Sequence, residues 1–375
     1  MIVEFFVCCT TNFLPASELK FFNGRNFDFE QERFGKFEQT GFLKSTGKAQ
    51  YQEREAKTVE IRITELRRPS ACGEGDLFSR RWDLPEQKPK AILQIAHGMN
   101  EHCGRYDRFA RLLAAQGYVV YANDHIGHGN SDFGHRGTFS LQKGGFEFLL
   151  QDMKTLYRYA EEEHPGLPRI LFGHSMGSIA SAVYPARDPN IDLLILMGTP
   201  AQNPLGGLGM LIAGITSTLS GRTKRSQFLI RASEADMGKC ALDPMERNRW
   251  LSRDENEVRK FVGDPLRGET FSASAYGEML AALREFGSRN WPRTIPEIPV
   301  LITAGAADSV GKCGAGPKFY YQRLLAAGHQ DVTLRPYDGA RHELLNETNR
   351  EEVTADLLAY LDEKTEKILS RRNGK

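Results

Sequence analysis

Ser175 stands at the centre of Gly173-His174-Ser175-Met176-Gly177, a G-x-S-x-G pattern. The apolar run Ile170-Leu171-Phe172 precedes it and Ser178-Ile179-Ala180 follows. Strand, tight turn and helix are the context in which this pattern carries chemistry. Glycines two residues to either side keep the turn free of side chains that would strike neighbouring backbone. The hydroxyl is then presented at the C-terminal edge of a sheet. It also sits at the start of a helix, whose dipole favours negative charge developing there. That is the setting of a nucleophile for acyl transfer.

A serine at its ordinary pKa is a poor nucleophile, so it needs a base, and the base needs an orienting acid. On this turn the chain order is serine, acid, histidine. Asp308 follows the apolar run Pro299 to Ala304 through Gly305-Ala306-Ala307, and His342 follows the last predicted strand through Asp338-Gly339-Ala340-Arg341. Each stands where a loop reaches the sheet's C-terminal mouth. The competing readings are a turn or cap residue for Asp308 and a surface histidine for His342. Asp338 is a rival acid, but it is too near His342 on one loop to approach the ring from its far side. His97, His102, His125, His128, His135 and His174 precede or adjoin the serine, and His164 and His329 fall at predicted helix ends. A tetrahedral oxyanion needs two backbone N–H donors. The expected donors are Met176, next to the nucleophile, and Met99 in the loop His97-Gly98-Met99-Asn100.

The surrounding pattern supplies the elements to hold these residues. Val59, Ile61 and Ile63 alternate with charged residues, as a half-buried strand does. Strands are predicted at Asp76 to Asp83, Ala91 to Ala96, Tyr118 to Ala122, Arg169 to Gly173, Ile191 to Met197, Pro299 to Ala304 and Val332 to Tyr337. Between them Tyr106, Phe109 and Leu113, then Leu149, Met153, Leu156 and Ala160, fall at helical spacing. A helix Lys318 to Ala327 and a last one holding Val353, Leu357 and Tyr360 complete the alternation. Alternating strands and helices imply an α/β fold, a mostly parallel sheet covered on both faces.

The alternation stops over residues 201–291, so the core divides into 58–200 and 292–375 around a helical insertion. In it Leu205, Leu208, Ile212, Ile215 and Leu219 share one face, with Arg222, Lys224 and Arg225 behind them. Two readings are open: a helix packed on the core, or an apolar lid whose basic end meets anionic lipid headgroups. Residues 1–57 crowd phenylalanines without helical or strand period and form an extension of undetermined order.

Composition narrows the function classes. The 375 residues carry 49 Lys+Arg against 48 Asp+Glu, net +1, so there is no basic surplus to ask for nucleic acid. The six cysteines form no CxxC or Cys/His cluster, which argues against structural zinc and a disulfide scaffold. Free thiols in a cytoplasmic, reducing compartment are expected. Glu4 stands where a signal peptide would be basic. The long uncharged stretch Leu193 to Gly221 is broken by Pro200 and Pro204, which suits a strand and separate helix better than a membrane span.

The run His97-Gly98-Met99-Asn100-Glu101-His102-Cys103-Gly104-Arg105-Tyr106 resembles the HG-x-x-EH-x-x-RY loop of monoacylglycerol lipases and bacterial lysophospholipases. Asp124-His125-Ile126-Gly127-His128-Gly129-Asn130-Ser131 is similar to their DH-x-GHG-x-S loop, and GHSMG is their usual elbow. Gly305 to Gly311 and Gly339 to Glu343 resemble their acid and histidine loops. The resemblance runs from about Thr58 to the C-terminus and is weakest over the insertion. Ser309 departs from a frequent proline and Ser178 from a frequent third glycine.

The resemblance implies an α/β-hydrolase fold with a helical cap and a Ser175–Asp308–His342 triad. It implies hydrolysis of a single acyl ester on a glycerol or glycerophospho backbone, a lysophospholipid or monoacylglycerol, with no metal or organic cofactor. The expected partner is a lipid ester, with peripheral membrane contact through the cap and no nucleic acid. Related sequences also carry the label serine aminopeptidase, so a peptidase or general carboxylesterase on the same fold is the alternative. A non-catalytic binding module is the third reading; its usual mark is a lost triad member, and none is lost here.

Overall fold

A computed structural model describes residues 60–237, 248–268 and 270–373. The extension 1–57 and the first residues of the strand expected from Thr58 lie outside them. The chain opens with an antiparallel hairpin, β1 (Arg62–Pro69) and β2 (Asp76–Asp83), in register from Arg62–Asp83 to Pro69–Asp76. Then β3 (Ala91–Ala96), α1 (Asp107–Ala115), β4 (Tyr118–Asn123), α2 (Gly145–Glu163), β5 (Arg169–His174), α3 (Met176–Val183) and β6 (Leu193–Met197) alternate. After an interval of helices come β7 (Val300–Gly305), α8 (Ala315–Ala326), β8 (Val332–Tyr337) and α9 (Arg350–Asn373).

The eight strands form one sheet in the order β1-β2-β4-β3-β5-β6-β7-β8. Every neighbouring pair from β4 to β8 is parallel, and β2 alone runs against the other strands. Strands β3 to β7 are buried along their whole length. That is why they read as unbroken apolar runs rather than as alternations: both faces are covered. Ile92, Val119, Leu171 and Leu194 pack under Leu149 and Met153 of α2, Ile179 of α3 and Leu324 of α8. Leu93, Val120, Phe172 and Ile195 face the other way, against Phe109 and Leu113 of α1 and Leu357 and Leu361 of α9. Parallel strands put all their C-terminal ends on one edge, so the loops after β3, β5, β7 and β8 open on the same side.

Between β6 and β7 the chain leaves the sheet for α4 (Gly206–Ser220), α5 (Gln227–Met237), α6 (Glu255–Gly263) and α7 (Ala273–Phe286). Asp254 caps α6 by accepting from Asn256 N at 3.0 Å, and Ser272 caps α7 by accepting from Ala275 N at 3.3 Å. The buried side of α7, with Ala275, Tyr276, Leu283 and Phe286, joins the core cluster of α2 and α3. Helix α4 behaves otherwise. Leu205, Leu208, Leu211, Ile215 and Leu219 are exposed, and only Ala213 of the helix is buried. The helix rests on α7 and the core through a narrow strip at Ile212 and Ala213 and turns these larger apolar side chains outward, so it has something of both readings. No described helix is long and apolar enough to cross a membrane.

Candidate active site

Ser175 lies between β5 and α3 with φ 54° and ψ −118°, a backbone conformation that L-residues seldom adopt. Strand, serine and helix meet so closely that only glycine fits beside them. A Cβ at Gly173 would lie 2.2 Å from Gly177 O, and one at Gly177 would lie 2.0 Å from Ala96 O. The contacts that fix Ser175 are made by its backbone. Its N–H donates to Met197 O at 2.9 Å, and its carbonyl accepts from Ser178 N at 2.9 Å. Ser178, where a third glycine was the common alternative, adds a hydroxyl bond to the same carbonyl at 2.6 Å. Met176 is the first residue of α3, so its N–H points out of the helix's positive end beside the serine.

Asp308 and His342 come from different loops and meet. His342 Nδ1 lies 3.0 Å from each carboxylate oxygen of Asp308, and both side chains are buried. The acid loop is tightly held despite Ser309. Asp308 N donates to Gly305 O at 3.1 Å, Val310 N to Asp308 Oδ1 at 2.9 Å, and Cys313 N to Asp308 O at 2.7 Å. Asp338, the rival acid, is on the His342 loop as expected, but the ring addresses Asp308. Cys313 is disulfide-bonded. This corrects the expectation of six free thiols and removes the thiol argument for a reducing compartment; Cys72 and Cys103 are free and buried.

His342 is joined to the elbow through its main chain. Its carbonyl lies 3.3 Å from His174 Nε2, and the two rings are 4.9 Å apart. The insertion reaches the same loop. His342 N donates to Trp250 O at 3.4 Å, Glu343 N donates to Leu251 O at 2.8 Å, and the Trp250 ring sits 5.2 Å from the imidazole.

The loop carrying Met99 runs directly against the serine. A Cβ at Gly98 would come within 3.1 Å of Ser175 Cβ and 3.3 Å of His174 Nδ1. Asn100 then takes φ 62°, turning the chain in the left-handed region, and its carbonyl accepts from Gly268 N at 3.1 Å. His97 clamps the base of the loop: its Nδ1–H donates to Gly98 O at 2.8 Å, and its Nε2 accepts from His125 N at 2.9 Å. Burial lowers the His97 pKa, which suits this neutral tautomer. Asp124 ties the two motif loops, accepting from Cys103 N and Asn130 N at 2.8 Å each.

A charged group lies beneath these loops that sequence reading quoted only as motif letters. Glu101, Arg105, Tyr106, His174, Met197 and Glu343 line one small cleft. Arg105 grips Glu343 through two bonds of 2.7 and 2.8 Å and reaches Glu101 at 3.1 Å. Burial opposes ionisation of both acids, and the neighbouring cations override it, holding each below the usual carboxylate range. The i,i+4 spacing of Glu101 and Arg105, and the place of Glu343 next to His342, were the available signals. Among the described residues no group of three or more His, Cys, Asp or Glu is disposed to hold a metal ion.

An elbow serine and a buried imidazole–carboxylate pair on loops of the same sheet edge are the equipment of acyl transfer, and the chain has relatives that are ester hydrolases. A serine aminopeptidase S33 family profile matches residues 87–349. A monoglyceride lipase of Rattus norvegicus is 30% identical over 286 residues, which is 75% of this chain and 84% of that one. A monoacylglycerol lipase of Mycolicibacterium smegmatis is 27% identical over 279 residues, 74% and 90% of the two chains. Among solved structures, a thermostable carboxyl esterase of Bacillus coagulans in complex with glycerol superposes with TM-score 0.76 at 27% identity. That match covers 82% of this chain and 100% of the esterase. With its sheet, its elbow serine and these relatives in agreement, the chain belongs to the serine aminopeptidase S33 family of α/β hydrolases and is a serine ester hydrolase.

Proposed function

We propose that the protein hydrolyses the ester of a monoacyl lipid, a monoacylglycerol or lysophospholipid, through an acyl-enzyme on Ser175. His342 removes the proton as Ser175 Oγ attacks the ester carbonyl, then returns it to the leaving alcohol. Asp308 holds the ring through Nδ1 and stabilises its cationic form. The Met99 and Met176 N–H groups receive the oxyanion. Water repeats the cycle on the acyl-enzyme and releases the fatty acid. The observation that carries this reading is the strained Ser175 at the elbow, one residue from a histidine ring packed against the His342–Asp308 pair. The lipases among the relatives support the substrate class.

Residues 201–291 serve as the cap. Exposed leucines and isoleucine on α4 suit them to rest on a lipid surface and take an acyl chain from it. The contact is chiefly apolar. Arg222 is turned inward to Glu278 and to Ser140 O, and Arg225 Nε donates to Thr270 O at 2.9 Å. The deciding experiment is a panel of monoacylglycerols, lysophospholipids and aminoacyl anilides run with wild type and Ser175→Ala. Turnover of the monoacyl esters, abolished in the folded variant, is expected. Preference for the anilides, or turnover that survives the substitution, overturns the reading.

A further inference from the structure

We propose that Glu101 and His174 are positioning residues for this hydrolysis: an ionised Glu101 and a doubly protonated His174 together hold the Met99 loop and the His342 loop in register on either side of Ser175. The inference rests on the triad reading above and goes beyond it.

Glu101 is bonded through both carboxylate oxygens. Its Oε1 accepts from Gly98 N, from Tyr106 OH at 2.8 Å and faces His174 Nδ1 at 3.2 Å. Its Oε2 accepts from Arg105 Nη1 at 3.1 Å. Both oxygens are therefore used as acceptors, which is the inventory of a carboxylate and not of a carboxylic acid. His174 then has an acceptor at each ring nitrogen, the carboxylate at Nδ1 and the His342 carbonyl at Nε2, 3.3 Å away. A neutral imidazole carries one proton and can satisfy only one of them. The imidazolium satisfies both.

Charge bookkeeping agrees. Glu101 and Glu343 are balanced by Arg105 and His174 in a largely buried site. The other titratable groups facing His174 are Tyr106 and His342. His97 interacts with Glu101 from the far side of the loop. Burial works against a charge on His174, and the bond to Glu101 outweighs it, raising its pKa.

One carboxylate thus fixes Gly98, the residue before the Met99 donor, and by way of His174 fixes the backbone of the base. Donor and base are set against the nucleophile from a single buried point. A displacement of about 1 Å at such groups costs on the order of 100-fold in rate.

The test uses the full chain. Histidine-labelled protein is examined by nitrogen NMR at pH 7. Wild type, Glu101→Gln and His174→Gln are then compared in kcat, KM and the pH dependence of nitrophenyl ester turnover. We expect one histidine with both ring nitrogens protonated, its signal lost in each variant. We expect kcat to fall about 10- to 100-fold with KM within about threefold. Activity that needs the His174 proton is lost as pH rises through its raised pKa. In Glu101→Gln that alkaline limb therefore moves about one unit or more toward acid. A neutral His174 in wild type overturns the inference, as does an unmoved alkaline limb with unchanged kcat. If Glu101→Gln does not fold, the wild-type spectrum alone decides. If wild type neither turns over esters nor labels at Ser175 with a fluorophosphonate, the triad reading fails, while the spectrum still reports on His174.

Discussion

His342 shares its Nδ1 equally between the two oxygens of Asp308, 3.0 Å from each. The acid therefore grips the ring symmetrically and fixes which nitrogen bears the proton, which under the proposed mechanism leaves Nε2 for Ser175. Asp308→Asn keeps the shape and replaces one acceptor with a donor. We expect kcat to fall by about 10⁴-fold, the order associated with the wrong tautomer, with little change in thermal midpoint. Steady-state kinetics beside a melting curve checks both halves.

The elbow predicts a contrast between glycines. A Cβ at Gly177 meets Ala96 O at 2.0 Å and His97 O at 2.6 Å, backbone atoms that cannot swing aside. Gly177→Ala is expected to destabilise by ~2 kcal/mol or more. Gly214, inside α4 with nothing within 4 Å of its added Cβ, should behave oppositely. Gly214→Ala should stabilise by about 1 kcal/mol. Urea midpoints on the two variants measure the difference.

Asp152 on α2 is buried and has no cationic partner among its bonds; it accepts from Ala71 N at 2.7 Å and Ser70 Oγ at 2.8 Å. Burial pushes its pKa up to about 7, only partly offset by those two bonds. Between the ordinary carboxylate range and that value the folded protein holds a proton the unfolded chain has released. Stability therefore declines as pH rises across that window. Asp152→Asn should remove the decline. It should match wild type near pH 4 and exceed it at pH 8 in denaturant unfolding, by an upper limit of roughly 4 kcal/mol.

Because α4 presents leucines while Arg222 and Arg225 bond inward, membrane attachment should depend little on lipid charge. Liposome flotation should recover the protein from neutral vesicles nearly as well as from anionic ones. Leu208→Glu with Leu211→Glu should abolish recovery while sparing turnover of a soluble ester. Recovery confined to anionic vesicles would contradict an apolar contact.

The core strands were readable because two-sided burial leaves a continuous apolar run, so β3, β5 and β7 were located to within a residue of their observed limits. The elbow was readable because its sterics are local. The partnership of Glu101 with His174, 73 positions apart, was not. Each is a polar residue with no period, and only the sheet order that sets β3 beside β5 brings their loops together. The exposure of α4 was hidden for a related reason. Spacing reveals that a helix has an apolar face, but not whether core or solvent lies opposite it.

Trp250 and Leu251, on the insertion, hold the two residues of the histidine loop by their carbonyls. The proposed cap is thus also a splint for the proposed base, His342. A truncated chain lacking 201–291 would not be a more permissive esterase with an uncovered groove. Its imidazole would have lost an anchor and its core the side chains of Tyr276, Leu283 and Phe286, so folding and turnover, rather than substrate range, would register the loss.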